Sequence, residues 1–503
     1  MVANVKVFCN KMATRKILLC LAVCLSLLSC RNGGAPEVAY SDSLPPVCDG
    51  YVGLQDGHFV LDGEYWYPLM LNYKAEFQET DGRVEVVPAY YYRGRSIREH
   101  FDTIASWGFN AVRVCLDDKE RTAGDNAARY EATRRMVQQA DSAGLKVMLL
   151  IVPPFDSCWQ AYTQGLLRHL ADLPALWAYD FINEPLYFDP EPSRDKMDAV
   201  RLVAEWRHWV RQYAPHQLFT VATSEPIEVF EWDPSMLPTD FVEMHTYHPL
   251  RALPEMLWYS RYCGKPWMVG ETGLPADGDS VPYEWQARFL YDMDVYARVL
   301  GAIGFGWWEF QDYPDGVNFE AKFTGLRDTA GKAKPAARVY TSALFCYDSK
   351  LDDDWVPVNY YNMLAYSNIR LTGRVVDTSS GKPVEGAVVR GWNKDWSVGM
   401  NTYTDSEGRF TLYSNDYNVH FEVSAPGMSR KKFDRRKIKY SNPQGIDTGN
   451  LPDRDREYHQ IDYKPYLNTS YPDIPFNMDF DSAHFFRYTL EGELGTVRLR
   501  RLK

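Results

Sequence analysis

The apolar run near the start, Ile17–Leu28, stops at twelve residues; a bilayer-spanning helix needs about 20. Cysteine is scarce: nine in all, of which Cys48, Cys115, Cys158, Cys263 and Cys346 follow Cys30. Those five fall at irregular spacing with no Cys-x-x-Cys pair, so there is neither a disulfide framework nor a zinc signature. Basic excess is lacking too, with 55 Lys and Arg against 67 Asp and Glu and a formal net charge of −12. A phosphate backbone is held by a basic footprint, and its absence argues against nucleic acid. No G-x-G-x-x-G follows a strand-like run, which argues against an open dinucleotide-binding sheet. Nor is there a repeat or low-complexity array. What is present in quantity is aromatic: 15 Trp, 34 Tyr and 24 Phe. Most of these fill a large core, but Tyr and Trp also offer flat apolar faces with polar rims, suited to stacking on sugar rings.

Residues 1–29 carry Lys6, Lys11, Arg15 and Lys16 with no acid, then the short apolar run, then Ser29-Cys30. That order is an export signal. Leu27-Leu28-Ser29-Cys30 resembles the bacterial lipobox, which implies lipidation of Cys30 and an exported lipoprotein of the outer membrane, held there by its lipid anchor. Residues 30–50, with Gly33-Gly34 and Pro45-Pro46, read as a tether.

From 51 to 350, short apolar runs alternate with amphipathic helical stretches, the pattern of βα units on a parallel sheet. Strands are predicted at 66–72, 109–116, 146–152, 176–183, 217–224, 240–247, 265–271 and 302–309, and helices include 127–143, 196–213 and 284–300. Eight strands over some 300 residues predict an α/β fold, a (β/α)8 TIM barrel. Ahead of them, 52–64 carries Asp56-Gly57 and Asp62-Gly63 and reads as a hairpin. Beyond about 350 the helical period stops. Residues 369–433 become short alternating strands between turn residues, the pattern of an all-β sandwich. The segment 434–503 is left without a role.

Barrels display their chemistry at the C-terminal ends of strands. Asn183-Glu184-Pro185 ends the fourth predicted strand and Gly270-Glu271-Thr272 the seventh. A glutamate closing an apolar strand is costly unless it has a partner or a task. Two of them facing one cleft supply what glycosidic cleavage needs: a proton for the leaving oxygen, and either a nucleophile or a base for water. Taken alone, Asn-Glu-Pro also reads as a helix start.

At these residues the chain resembles the clan A glycoside hydrolases, cellulase-like family 5 above all. The resemblance implies Glu184 as general acid/base, Glu271 as nucleophile, and Asn183 on the sugar 2-hydroxyl. His245-Thr246-Tyr247 stands where the family has His-x-Tyr, with Tyr247 bonding the nucleophile. Arg113 matches an arginine beneath the same carboxylate, and Trp308 an aromatic platform. Pro153-Pro154 occupies the place of a histidine frequent in family 5, and family 2 barrels share the two glutamate positions. Arg113 and Tyr247 would favour the ionised form of Glu271, while Glu184, with no matched cation, is expected to hold its proton.

A second resemblance covers Gly373-Arg374-Val375-Val376-Asp377, Gly381-Lys382-Pro383 and Thr404-Asp405-Ser406-Glu407-Gly408, which are similar to the carboxypeptidase regulatory-like domain and imply an Ig-like or transthyretin-like sandwich. Its glycines and aspartates are turn chemistry and imply a spacer or docking module. The basic run 430–439 reads as a solvated strand face or a contact for an acidic partner surface.

The expectation is a monomeric retaining glycosidase acting on a neutral poly- or oligosaccharide, with no cofactor and no catalytic metal. A catalytically silent glycan-binding lipoprotein and a transglycosylase using the same two glutamates are the alternatives.

Overall fold

The computed structural model describes residues 43–94, 96–117, 126–191, 194–247, 249–317, 319–342, 367–393, 399–414, 418–434, 438–441 and 486–502. The leader, Cys30 and residues 31–42 lie outside this set, as do Arg95, Cys346 and 442–485. Among the described residues no helix is long and apolar enough to cross a membrane, and Cys48, Cys115, Cys158 and Cys263 are free thiols.

The chain enters through a small antiparallel meander, β1 (Gly53–Gln55), β2 (His58–Leu61) and β3 (Glu64–Tyr65). Both turns are the anticipated Asp-Gly pairs, with positive φ at each residue (51° and 78°, then 53° and 83°). That conformation matches the twist of paired strands and favours Asp or Asn followed by Gly. Val52, Leu54 and Phe59 pack on Met70, Ala111, Met148, Trp177 and Met268. These sit at or near the first positions of barrel strands, so the meander plugs the N-terminal mouth.

The barrel follows. β4 (Leu69–Thr80) folds back on β5 (Arg83–Pro88), and seven further parallel strands continue the sheet: β6 (Ala111–Asp117), β7 (Lys146–Leu150), β8 (Leu176–Asn183), β9 (Leu218–Thr223), β10 (Val242–His245), β11 (Trp267–Glu271) and β12 (Phe305–Trp307). Pairing of β12 with β4 closes the ring. All eight predicted barrel strands are present, differing mainly in their ends. The helices α1 (Ile97–Ser106), α2 (Ala127–Ser142), α3 (Ser157–Leu170), α4 (Pro185–Phe188), α5 (Lys196–Tyr213), α6 (Pro249–Trp258) and α7 (Tyr283–Val299) lie between strands. Some of their starts are capped by side chains: the Ser96 hydroxyl accepts from Glu99 N, and the Asp156 carboxylate from Trp159 N. α5 buries Ala199, Val203, Trp206 and Val210, one face at helical spacing.

The C-terminal part is two four-stranded sheets. One has the order β16 (Arg409–Ser414), β13 (Ser367–Asp377), β20 (Phe486–Leu499), β19 (Lys439–Ser441). The other is β15 (Gly399–Tyr403), β14 (Val388–Asn393), β17 (Asn418–Ser424), β18 (Lys431–Asp434). The end of the segment that the sequence reading gives no role is structural, because β20 runs parallel to β13 in the middle of its sheet.

Strand alternation divides β14 and β17 between two cores. Val389, Phe421 and Val423 fill the sandwich, whereas Val388 and Trp392 join the barrel core. Polar neighbours on the barrel side find partners there. Arg390 pairs with Glu225 at 3.7 Å, Arg430 binds Glu231, and Trp258 Nε1 donates to the Gly386 carbonyl at 2.9 Å. The acidic surface met by Arg430, the first residue of the basic run, is thus the barrel itself. At the centre of the contact Lys196 Nζ donates to Asp233 (2.9 Å) and to the Ala425 carbonyl (3.1 Å), and Gly427 N donates to the same Asp233 oxygen (2.9 Å).

Both members of the Lys196–Asp233 pair are buried, at 3% and 1% side-chain exposure. Asp233→Ala should strand that ammonium and cost about 3–5 kcal/mol. In urea unfolding followed by Trp fluorescence, the variant should show a lowered midpoint and separate barrel and sandwich transitions. An unchanged single transition would contradict the assigned contact.

Candidate active site

Five strands contribute polar side chains to the C-terminal mouth of the barrel: Asn72 from β4, Arg113 from β6, Asp180 and Asn183 from β8, Glu243 and His245 from β10, and Glu271 from β11. Arg113 is at the centre and has no solvent exposure. Its Nε and Nη2 donate to Asp180 Oδ2 at 3.1 and 2.7 Å, Nη2 also to Asn183 Oδ1 at 2.8 Å, and Nη1 to Asn72 Oδ1 at 3.0 Å. Nη1 also bonds Glu271 Oε1, and Glu243 lies 3.2 Å from Nε. Burial works against the guanidinium charge, but the surrounding carboxylates outweigh it and raise its pKa.

Local irregularities aim these groups. The β8–β9 register shifts between Asp180 and Asn183, and the β10–β11 register shifts between Met244 and His245, which brings His245 level with Glu271. Bulges of this kind re-aim side chains at barrel rims. Gly270 is required beside them, since a Cβ there would lie 2.1 Å from Glu243 Oε1. Glu184 itself has left-handed backbone, φ 44° and ψ 71°, a strained state for a residue with a Cβ. Its amide donates to the Ala222 carbonyl at 2.8 Å, and Pro185 opens α4 directly after it.

The two glutamates predicted from the sequence are brought together. One oxygen of each and a ring nitrogen of His245 lie within 4.8 Å of one another. Glu271 accepts from Arg113 and from the Tyr247 hydroxyl, as anticipated. Glu184 differs from expectation, because it does have a cationic partner: His245 Nδ1 is 2.9 Å from Glu184 Oε1, and 3.5 Å from Glu271 Oε2. Burial would lower the imidazole pKa, but Glu271, Glu184 and Glu243 prevail and push it up to about 10. Among the described residues this trio is the one set of His, Cys, Asp or Glu close enough to hold a metal ion. A protonated imidazole bonds the carboxylates as a donor.

Asn183 accepts from Arg113 through Oδ1, which fixes its amide: a guanidinium only donates, so the NH2 group is left for the cleft. A cavity of about 570 Å3 adjoins Asn183, lined also by Lys74, Tyr90, Tyr91, Phe188 and Tyr313, among others, but by neither glutamate. Trp307 is fully buried with its Nε1 on the Thr324 carbonyl, so of the two neighbouring tryptophans it is the packing residue. Trp308 is partly exposed, with Lys74 Nζ 4.7 Å from its ring centroid. Trp159 belongs to the core.

Asn72, Asp180, Glu243 and Glu309 were missed by the sequence reading. Each is a lone polar residue in or beside an apolar strand, the signal that exposed Glu184 and Glu271. Burial pushes Asp180 up, against the pull of Arg113, to about 7. Glu309 accepts from Tyr91 and Tyr92 at 2.9 and 2.8 Å.

A histidine at 6.5 unfolded and about 10 folded binds its proton more tightly in the folded chain. Its contribution to stability is therefore whole below pH 6.5 and is lost as pH rises toward 10. The stability difference between wild type and His245→Asn, from urea titrations at a series of pH values, should shrink across that window. A difference independent of pH would contradict the imidazolium assignment.

No curated protein sequence matches the chain. Among solved structures it is similar to an exo-β-1,4-mannosidase from Opitutaceae bacterium strain TAV5, at 19% identity and TM-score 0.45, covering 57% of this chain and 61% of that one. The chain thus spans less than two thirds of that relative's length. It is also similar to a family 5, subfamily 18 glycoside hydrolase from Streptomyces cattleya (18%, TM-score 0.43, 57% and 80% covered). A third is the catalytic domain of the major endoglucanase of Xanthomonas campestris (14%, TM-score 0.40, 58% and 100% covered). Residues 370–447 match the family model of the carboxypeptidase regulatory-like domain. The chain is a closed eight-stranded parallel barrel joined to a carboxypeptidase regulatory-like domain.

Proposed function

We propose that this protein is a retaining glycoside hydrolase that cleaves β-glycosidic bonds in a neutral poly- or oligosaccharide. One observation carries the reading: two carboxylates converge from the ends of β8 and β11, and they are held differently. Glu271 is fixed by a buried guanidinium and a phenol, which suits a nucleophile. Glu184 is partly exposed at 17% and reaches the rim on a short turn, where it can meet a leaving oxygen. Retaining enzymes hold their carboxyl groups about 5–5.5 Å apart, inverting enzymes about 6.5–9.5 Å. Oxygens within 4.8 Å support the closer pair.

In the first step a Glu271 oxygen attacks the anomeric carbon. The glycosidic C–O bond breaks, and its oxygen takes the proton of Glu184. In the second, water gives a proton to Glu184 and displaces Glu271 from the sugar. Asn183 donates to the 2-hydroxyl, and the exposed face of Trp308 supports the ring.

Location follows from the leader: the mature protein is an outer-membrane lipoprotein anchored through Cys30, and a single acyl chain would hold it only weakly. Cys30→Ala should leave the protein unprocessed or released from membranes. Recovery of wild type wholly in the soluble fraction would contradict the anchor.

The reaction is tested by incubating the protein with mannans, glucans, xylans and galactans and sizing the products. Glu271→Ala should abolish turnover, with azide restoring some activity on aryl glycosides and giving the inverted glycosyl azide. Glu184→Ala should lose about 10²–10⁴-fold on a natural sugar leaving group. A Glu184→Ala enzyme as fast as wild type on oligosaccharide would overturn the assignment.

A further inference from the structure

The loop after β9 carries a buried carboxyl that the reaction does not use. Glu228, in the 3-10 turn Pro226–Phe230, is 1% exposed. Its Oε1 accepts from Leu186 N at 3.0 Å and from the Ser224 hydroxyl at 3.1 Å. Among the described residues its Oε2 has no hydrogen-bond partner. Burial pushes this carboxyl up to about 8, so near neutrality it is chiefly the uncharged acid. Leu186 is two residues after Glu184, in the first turn of α4. The left-handed Glu184 is therefore tied at two points, by its own amide to Ala222 and through Leu186 to Glu228.

The same loop is the platform on which the sandwich rests. Glu225 meets Arg390, the Val229 carbonyl accepts from the Ser424 hydroxyl at 3.3 Å, Phe230 packs on Trp392 with centroids 5.6 Å apart, and Glu231 binds Arg430. Residues on either side of Glu228 thus engage the C-terminal domain while Glu228 engages α4.

We propose that Glu228 is a positioning residue for the general acid, setting the turn that presents Glu184, and that the regulatory-like domain keeps Glu228 in place by clamping 225–231. The proposal rests on the glycosidase reading. It gives the sandwich a part in catalysis without a side chain in the cleft. A turn held by one hydrogen bond fewer tilts the Glu184 carboxyl away from the leaving oxygen, and displacement of about 1 Å at such a group can cost about 10²-fold. The attack by Glu271 is untouched.

The test uses the full-length mature protein with phenyl and 2,4-dinitrophenyl β-glycosides of mannose, glucose, galactose and xylose. Phenolate needs a proton to leave and dinitrophenolate does not, so in the first step, which kcat/KM reports, a misplaced acid is felt only by the phenyl glycoside. Glu228→Met, which fills the space without an acceptor, should lower kcat/KM on the phenyl glycoside at least ~10-fold more than on the dinitrophenyl glycoside. Glu228→Gln, an isostere of the neutral acid, should restore the wild-type ratio. If Glu228→Met does not fold, Trp392→Ala serves instead, with the same leaving-group signature expected. A folded variant with equal losses on both substrates, or none, would overturn the proposal. Wild type inactive on every aryl glycoside and polysaccharide would instead overturn the glycosidase reading.

Discussion

A buried guanidinium organises this barrel. Arg113 cannot shed its proton, and taking it out of water is costly unless each donor finds an acceptor. Asp180, Asn183, Asn72 and Glu271 supply them, with Glu243 alongside. Those residues come from four other strands, so the cost of burying one charge is met only when the ring is closed and in register. Closure and the placement of Glu271 are the same event. Asn72 makes the link explicit: its carbonyl accepts from Arg113 while its amide donates to the backbone of Gly270 and Trp307, the strands on the far side of the seam.

Charge separation between the two glutamates follows from that geometry. Glu271 lies on the Arg113 side of the mouth and also receives Tyr247. Glu184 stands further out, where its contact is with His245, an imidazolium made by the carboxylates around it. A histidine that bridges the two glutamates couples their protonation more tightly than two independent carboxylates would be. The strain at Glu184 is offset by hydrogen bonds from β9 and from the loop behind it, and that loop is shared with the sandwich. Stability of the domain contact and precision of the rim are thus connected through residues 225–233.

Much of this was legible in the residues. Parallel strands buried on both faces read as apolar runs, so the eight barrel strands stood out, and a glutamate ending such a run was conspicuous. Arg113 and His-x-Tyr were placed by resemblance. Other parts were hidden for physical reasons. Asn72, Asp180 and Glu243 face inward, where a polar residue breaks the apolar pattern without a motif to name it. The His245–Glu184 contact depends on a bulge, which shifts register by one residue and cannot be counted from sequence. Glu228 lies in a short turn whose sequence, Pro-Ile-Glu-Val-Phe, suggests nothing but a surface loop. The role of β20 was invisible because its partner β13 lies more than a hundred residues earlier, and parallel pairing leaves no local turn signal.

The central claim is that Glu271 forms a covalent bond to the sugar. Incubation with 2,4-dinitrophenyl 2-deoxy-2-fluoro-β-glycosides of mannose and glucose, followed by intact-mass measurement and peptide mapping, tests it directly. The electron-withdrawing fluorine slows both steps and the activated leaving group spares the first, so the intermediate accumulates. The account predicts one fluorosugar per chain, located on Glu271 and lost in Glu271→Ala. A label on any other residue, or turnover of natural substrate giving product of inverted anomeric configuration, would contradict it.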